Sequence, residues 1–76
     1  MIKKIVEYIK DNQFKINYVN NLVNIVNYDK ILEVSSNMIT IIKDNKTILI
    51  IGDDLKLSKL LDNEILIKGS INKIEL

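Results

Sequence analysis

The spacing of hydrophobic residues changes period after the first dozen positions. Ile2, Ile5, Val6 and Ile9 recur at i, i+3, i+4 and i+7, which is one face of an α-helix, and Lys3, Lys4, Glu7 and Lys10 lie off that face. This predicts a short helix over residues 2–10 that caps a core, ended by Asp11, Asn12 and Gln13. A membrane-surface helix is a second reading of the stripe, weakened by its shortness and by Glu7. An N-terminal strand is a third.

From Phe14 onward the period is two. Phe14, Ile16 and Tyr18 alternate with Lys15 and Asn17, the pattern of a half-buried strand. Asn20-Asn21 is a turn signal, because asparagine tolerates positive φ. Leu22 to Asn27 follows with Val23 and Ile25 on one face, and Tyr28-Asp29-Lys30 interrupts it. Further strands are predicted over 31–35, 38–43 and 47–51, with turns at Ser36-Asn37 and Asp44-Asn45-Lys46. Gly52-Asp53-Asp54 reads as another turn, with Gly52 at positive φ, leading to a strand that holds Leu55 and Leu57. Residues 59–64 read as a connection. Strands over 65–68 and 71–76 close the chain, with Gly69-Ser70 as a bend or bulge between them. Short strands at this spacing, with no helical pattern between them, indicate an antiparallel all-β domain.

The central stretch, Met38 to Leu57, carries two apolar parities. Ile48, Ile50, Leu55, Leu57, Ile65, Ile67 and Ile71 form one series. Met38, Ile42, Leu49, Ile51 and Leu66 form the other. A strand that is apolar on both faces needs cover on both sides. Either the helix stripe and a curled sheet supply both layers, or an apolar patch stays exposed and marks an interface. The second outcome is the expectation carried forward. It names Met38, Ile42, Leu49, Ile51 and Leu66 as contact residues and the chain as a homo-oligomer.

Composition narrows the chemistry. The chain has 76 residues, one domain's worth, and a chain this short has a thin stability margin. It has no cysteine or histidine, which removes disulfides and thiol or imidazole metal sites. The net charge is +1 and every basic residue is lysine, so neither the basic patch nor the planar guanidinium of nucleic-acid readers is present. Abundant Ile, Lys and Asn match the product of an AT-rich genome. The basic start is interrupted too early for a signal peptide, and no apolar run approaches the ~20 residues that span a bilayer. Asp53-Asp54 and Asp62 with Glu64 are the available carboxylate pairs, and both read as solvated turn charges. Asp44, Asn45, Asp53 and Asp54 would form an oxygen-ligand Ca²⁺ site only if the fold gathered them at one end of the sheet. No catalytic residue, metal ligand or cofactor is assigned.

Several apolar-x-apolar-x-Gly rhythms occur together in the second half. One is Ile48-Leu49-Ile50-Ile51-Gly52 followed by Asp54-Leu55-Lys56-Leu57. Another is Ile65-Leu66-Ile67-Lys68-Gly69-Ser70-Ile71-Asn72-Lys73-Ile74. Upstream lie Phe14-Lys15-Ile16, Val23 to Tyr28 and Ile31 to Val34. In order and spacing, from about residue 14 to residue 76, these segments resemble the YabP/YqfC family of sporulation proteins of endospore-forming bacteria. The chain departs from the family where glycine is usual, with Asn20-Asn21 and Lys46 standing there. The resemblance implies a non-enzymatic protein of spore formation, acting beside a membrane-embedded partner, and the AT-rich composition suits a low-GC bacterium. It transfers no catalytic residue.

The combined expectation is a mainly β fold, a small antiparallel, curved sheet or roll of short strands with a short N-terminal α-helix. It is a single domain over 1–76, with the helix in 1–12 and the β-domain in 13–76. The expected function is structural, through sheet faces or sheet edges, with a second copy or a membrane-embedded sporulation protein as partner. No nucleic acid and no small-molecule substrate are expected. The location is cytoplasmic, or peripheral at a spore-associated membrane. The competing class is a small ligand-binding or sensory β-domain.

Overall fold

The computed structural model describes residues 13–76, and the helix expected within residues 1–12 lies outside them. The described chain is mainly β. Its strands are β1 (Lys15–Val19), β2 (Leu22–Val26), β3 (Lys30–Val34), β4 (Met38–Lys43), β5 (Lys46–Leu60) and β6 (Glu64–Glu75). They form one open six-stranded antiparallel sheet in the order β1-β2-β6-β5-β4-β3.

Asparagine and aspartate make the tight turns. Asp44 and Asn45 sit at φ 53° and 62° between the paired Lys43 and Lys46, the two-residue geometry whose twist suits a hairpin. The residues at positive φ are Asp44 and Asn45, so Lys46 needs no glycine and opens β5. Asn20, at φ 53°, turns β1 into β2.

The chain does not turn at Gly52-Asp53-Asp54. β5 runs unbroken through them to Leu60, and β6 runs unbroken through Gly69-Ser70. The parity change that suggests a turn comes from bulges. Between the pairs Asp53↔Ser70 and Lys56↔Lys68, Asp54 and Leu55 together stand opposite the single Gly69, one residue extra on β5, so the buried series passes from Ile48 and Ile50 to Leu55 without changing face. On β6, Asn72 is extra between the partners of Ile51 and Gly52, which moves the inward series from Ile71 to Ile74. Asp54, not Gly52, takes the positive φ, at 54°.

Glycine is required at positions 52 and 69 because β5 and β6 meet there. A Cβ on Gly52 would collide with the Ser70 carbonyl oxygen. One on Gly69, at φ +147°, would lie 2.8 Å from the Asp54 carbonyl oxygen and 3.0 Å from the Leu55 Cα.

The connection from β2 to β3 shows that the sheet is strongly curved. β2 and β3 are four strands apart in the sheet order, about 19 Å if the sheet were flat. The link from Val26 to Lys30 can reach only about 14 Å. Folding about the β5–β6 bend brings the two halves together. Phe14, just before β1, accordingly lines one groove with Lys43, Lys46 and Ile48 of the β4–β5 hairpin. Backbone bonds hold the bend, with Leu55 N–H donating to Ser36 O at 2.7 Å and Gly69 N–H donating to Asn21 O at 3.0 Å.

Both halves contribute to one buried cluster. Val23, Ile25, Ile65 and Ile67 come from one half, Ile39, Ile41, Ile48 and Ile50 from the other, and Leu55 from the bend. Ile31, Leu57, Ile71 and Ile74 pack around it. Gly52→Ala is expected to lose about 2 kcal/mol or more, because the methyl group must push two backbones apart. Gly69→Ala should lose about 1–3 kcal/mol to strained φ alone. Urea unfolding midpoints measure both.

Candidate interaction surface

Four of the five residues expected at an interface share one face. Along β4, Met38, Thr40 and Ile42 alternate with the buried Ile39 and Ile41, so they point to the outer side of the sheet. The register sets Met38 against Ile51, Thr40 against Leu49 and Ile42 against Thr47. Met38, Ile42, Leu49 and Ile51 are each half-buried. Leu66 lies apart from them. It pairs with Asn24 of β2 and Lys59 of β5, on the outer side of the other half of the sheet.

Thr40 is the residue that the sequence reading passed over. It is buried at the centre of the patch, between Leu49 and Glu33 across the strands and Met38 and Ile42 along its own. The alternation in MITIIK that marks Met38 and Ile42 also marks Thr40, whose hydroxyl sets it apart from the apolar series. Charge rims the patch. Lys73 and Glu75 pair at 2.7 Å beside Ile51 and Leu49, and Glu33 closes the opposite side. An apolar centre with a polar rim is the usual anatomy of a protein contact.

The sheet also has open edges. Among the described residues, β1 and β3 each pair on one side only. Among the described residues, the C-terminal part of β5 pairs only with β6, and the C-terminal part of β6 only with β5. Several large apolar side chains are exposed along these edges, including Tyr18, Val19, Leu32, Val34 and Leu60.

The carboxylates have structural roles. Asp29 binds the β4–β5 hairpin to the β2–β3 link, accepting from Asp44 N–H at 2.8 Å and lying 3.6 Å from Lys43 Nζ. Glu64 accepts from Asn24 Nδ2 at 2.8 Å, and Asp53 from Asn72 Nδ2 at 3.4 Å. Asp44-Asn45 and Asp53-Asp54 are separated by the extended run of β5 from Lys46 to Gly52, about 23 Å. The fold therefore does not gather them into a calcium site, and no group of three acidic side chains among the described residues is placed to hold a metal. No helix among the described residues is long and apolar enough to cross a membrane.

One apolar groove, about 240 Å³ and open to solvent, lies between Phe14, Ile48 and Leu76, with Lys43, Asp44 and Lys46 around it. It is smaller than the ~300–1,000 Å³ typical of small-molecule sites.

Tyr28, in the β2–β3 link, packs on the core cluster and points its hydroxyl at Leu61 O, 3.4 Å away. Desolvation raises its pKa above the ordinary 10.0, and the nearby Asp62 carboxylate adds to the rise. A raised pKa in the folded state means that the folded chain holds this proton more tightly than the unfolded chain. The linked stability is complete below pH ~10 and is lost as pH rises through the folded value. Urea midpoints followed upward from pH 9 should fall, and Tyr28→Phe should reduce that fall while changing the neutral-pH midpoint little.

No protein-family model, curated protein or solved structure matches the chain.

Proposed function

We propose that this protein is a non-enzymatic interaction module of the YabP/YqfC type, taking part in endospore formation through contacts of its sheet. The observation that carries the reading is the outer face of β4 and β5. There, Met38, Ile42, Leu49 and Ile51 surround the buried Thr40, although the core of the fold lies on the opposite face. Apolar area on a surface that the fold does not need for its own core favours a partner at roughly 25 cal/mol per Å² buried. The partner is a second copy or a membrane-embedded sporulation protein. The sporulation setting rests on the resemblance of residues 14–76. Leu66, on the other half of the sheet, would belong to a separate contact.

The test is Leu49→Lys combined with Ile51→Lys. Each lysine would place a charge in the centre of the contact, raising the dissociation constant on the order of a hundredfold or more. Sedimentation across dilution and pull-down of the membrane partner read the loss, and far-UV circular dichroism reports retained strands. Association equal to that of the unmodified protein, with the strands intact, would sink the face.

A further inference from the structure

We infer that the outer edge of β1 pairs antiparallel with β1 of a second copy, in a register centred on Asn17, joining two sheets into one. The inference rests on the interaction reading above and names a separate contact, at an edge instead of the face.

The hydrogen-bonding direction of β1 follows from its neighbours. Asn21 O accepts from Gly69 N–H, and Asn27 N–H donates to Asn63 O. Odd-numbered residues of β2 therefore turn their backbone groups toward β6, and Leu22, Asn24 and Val26 turn theirs toward β1. Their partners Val19, Asn17 and Lys15 are satisfied within the hairpin. Ile16 and Tyr18 consequently direct N–H and C=O outward, with no backbone partner among the described residues.

The other edges carry the devices that block such pairing. β3 is bulged between Ile31 and Glu33 and carries Lys30 and Glu33. The free part of β5 is bulged between Leu57 and Lys59 and carries Lys56 and Lys59. The free part of β6 has its bulge at Asn72 and the Lys73–Glu75 pair. Bulges and charges of this kind discourage edge-to-edge association. β1 is regular along its whole length, and its one charge, Lys15, is at the end. Its last two residues, Tyr18 and Val19, are 53% and 62% exposed.

The strand is also self-complementary. Centred on Asn17, an antiparallel copy sets Ile16 against Tyr18 and Lys15 against Val19, so no like charges meet. Ile16 and Tyr18 lie on the core side, opposite Ile25 and Val23, so the pairing extends the core layer across the two copies. The outward groups of Ile16 and Tyr18 then exchange hydrogen bonds on either side of the axis. Asn17 meets the partner's Asn17 as a non-hydrogen-bonded pair, with Cα atoms about 4.5 Å apart.

Because the chain contains no cysteine, a single introduced thiol reports this register. The Cα separation expected for Asn17→Cys falls within disulfide range. Val19→Cys would put its two sulfur-bearing residues about 13 Å apart along the strands, too far to bridge. Under mild oxidation at micromolar protein, Asn17→Cys should form a covalent dimer on the order of a hundredfold faster than Val19→Cys, since pairing holds the thiols at millimolar effective concentration. Tyr18→Pro removes an outward N–H and leaves the β1–β2 ladder intact, so it should make the protein monomeric with its strands retained. If the unmodified protein associates but Asn17→Cys links no faster than Val19→Cys, the edge proposal is overturned and the face remains as the contact. If Asn17→Cys links rapidly while the Leu49→Lys, Ile51→Lys variant still dimerises, the edge holds and self-association through the face fails. A protein that is monomeric at every concentration overturns the edge pairing outright.

Discussion

The close approach of β5 and β6 at Gly52 and Gly69 is the constraint on which the rest of the molecule depends. These are the two longest strands, and each belongs to both halves of the sheet. A flat pairing would leave one face of six strands in water. Two glycines without Cβ atoms let the backbones press together, and the bulges at Asp54-Leu55 and at Asn72 sharpen the local twist. The sheet then closes over its own inner face, and the link from Val26 to Lys30 can span the gap between the halves.

Closure from within explains the distribution of apolar residues. The inner face of every strand feeds one cluster, so a chain too short for two full layers still obtains fully buried isoleucines. The bend has a consequence at the edges. Because β4 pairs with only the first part of β5, and β2 with only the first part of β6, the sheet of described residues has more open edge than its strand count suggests. Three of these edges carry bulges and charges. The exception is β1, a plain five-residue strand.

The outer face of β4 and β5 is a different kind of surface. Its apolar residues are each half-buried, and Thr40 among them is buried. What makes it a candidate contact is arrangement: an apolar centre between Glu33 on one side and the Lys73–Glu75 pair on the other. Small domains have thin margins, and under the proposed association this surface would add burial.

Period-two alternation is local, so the sequence by itself determined the all-β class, the strands β1 to β4, the inward series of Ile48, Ile50, Ile65 and Ile67, and the turns at Asn20-Asn21 and Asp44-Asn45. The same local rule misleads at Gly52-Asp53-Asp54, because a bulge and a turn both break parity. Which one occurs depends on how many residues stand opposite on a strand twelve or more positions away. Only the tertiary structure decided that Met38, Ile42, Leu49 and Ile51 share a face while Leu66 lies on the other half, and that Asp44 and Asp53 are far apart. Parity says which side of its own strand a residue occupies. Register and curvature, which arise from pairing between distant segments, say where that side points.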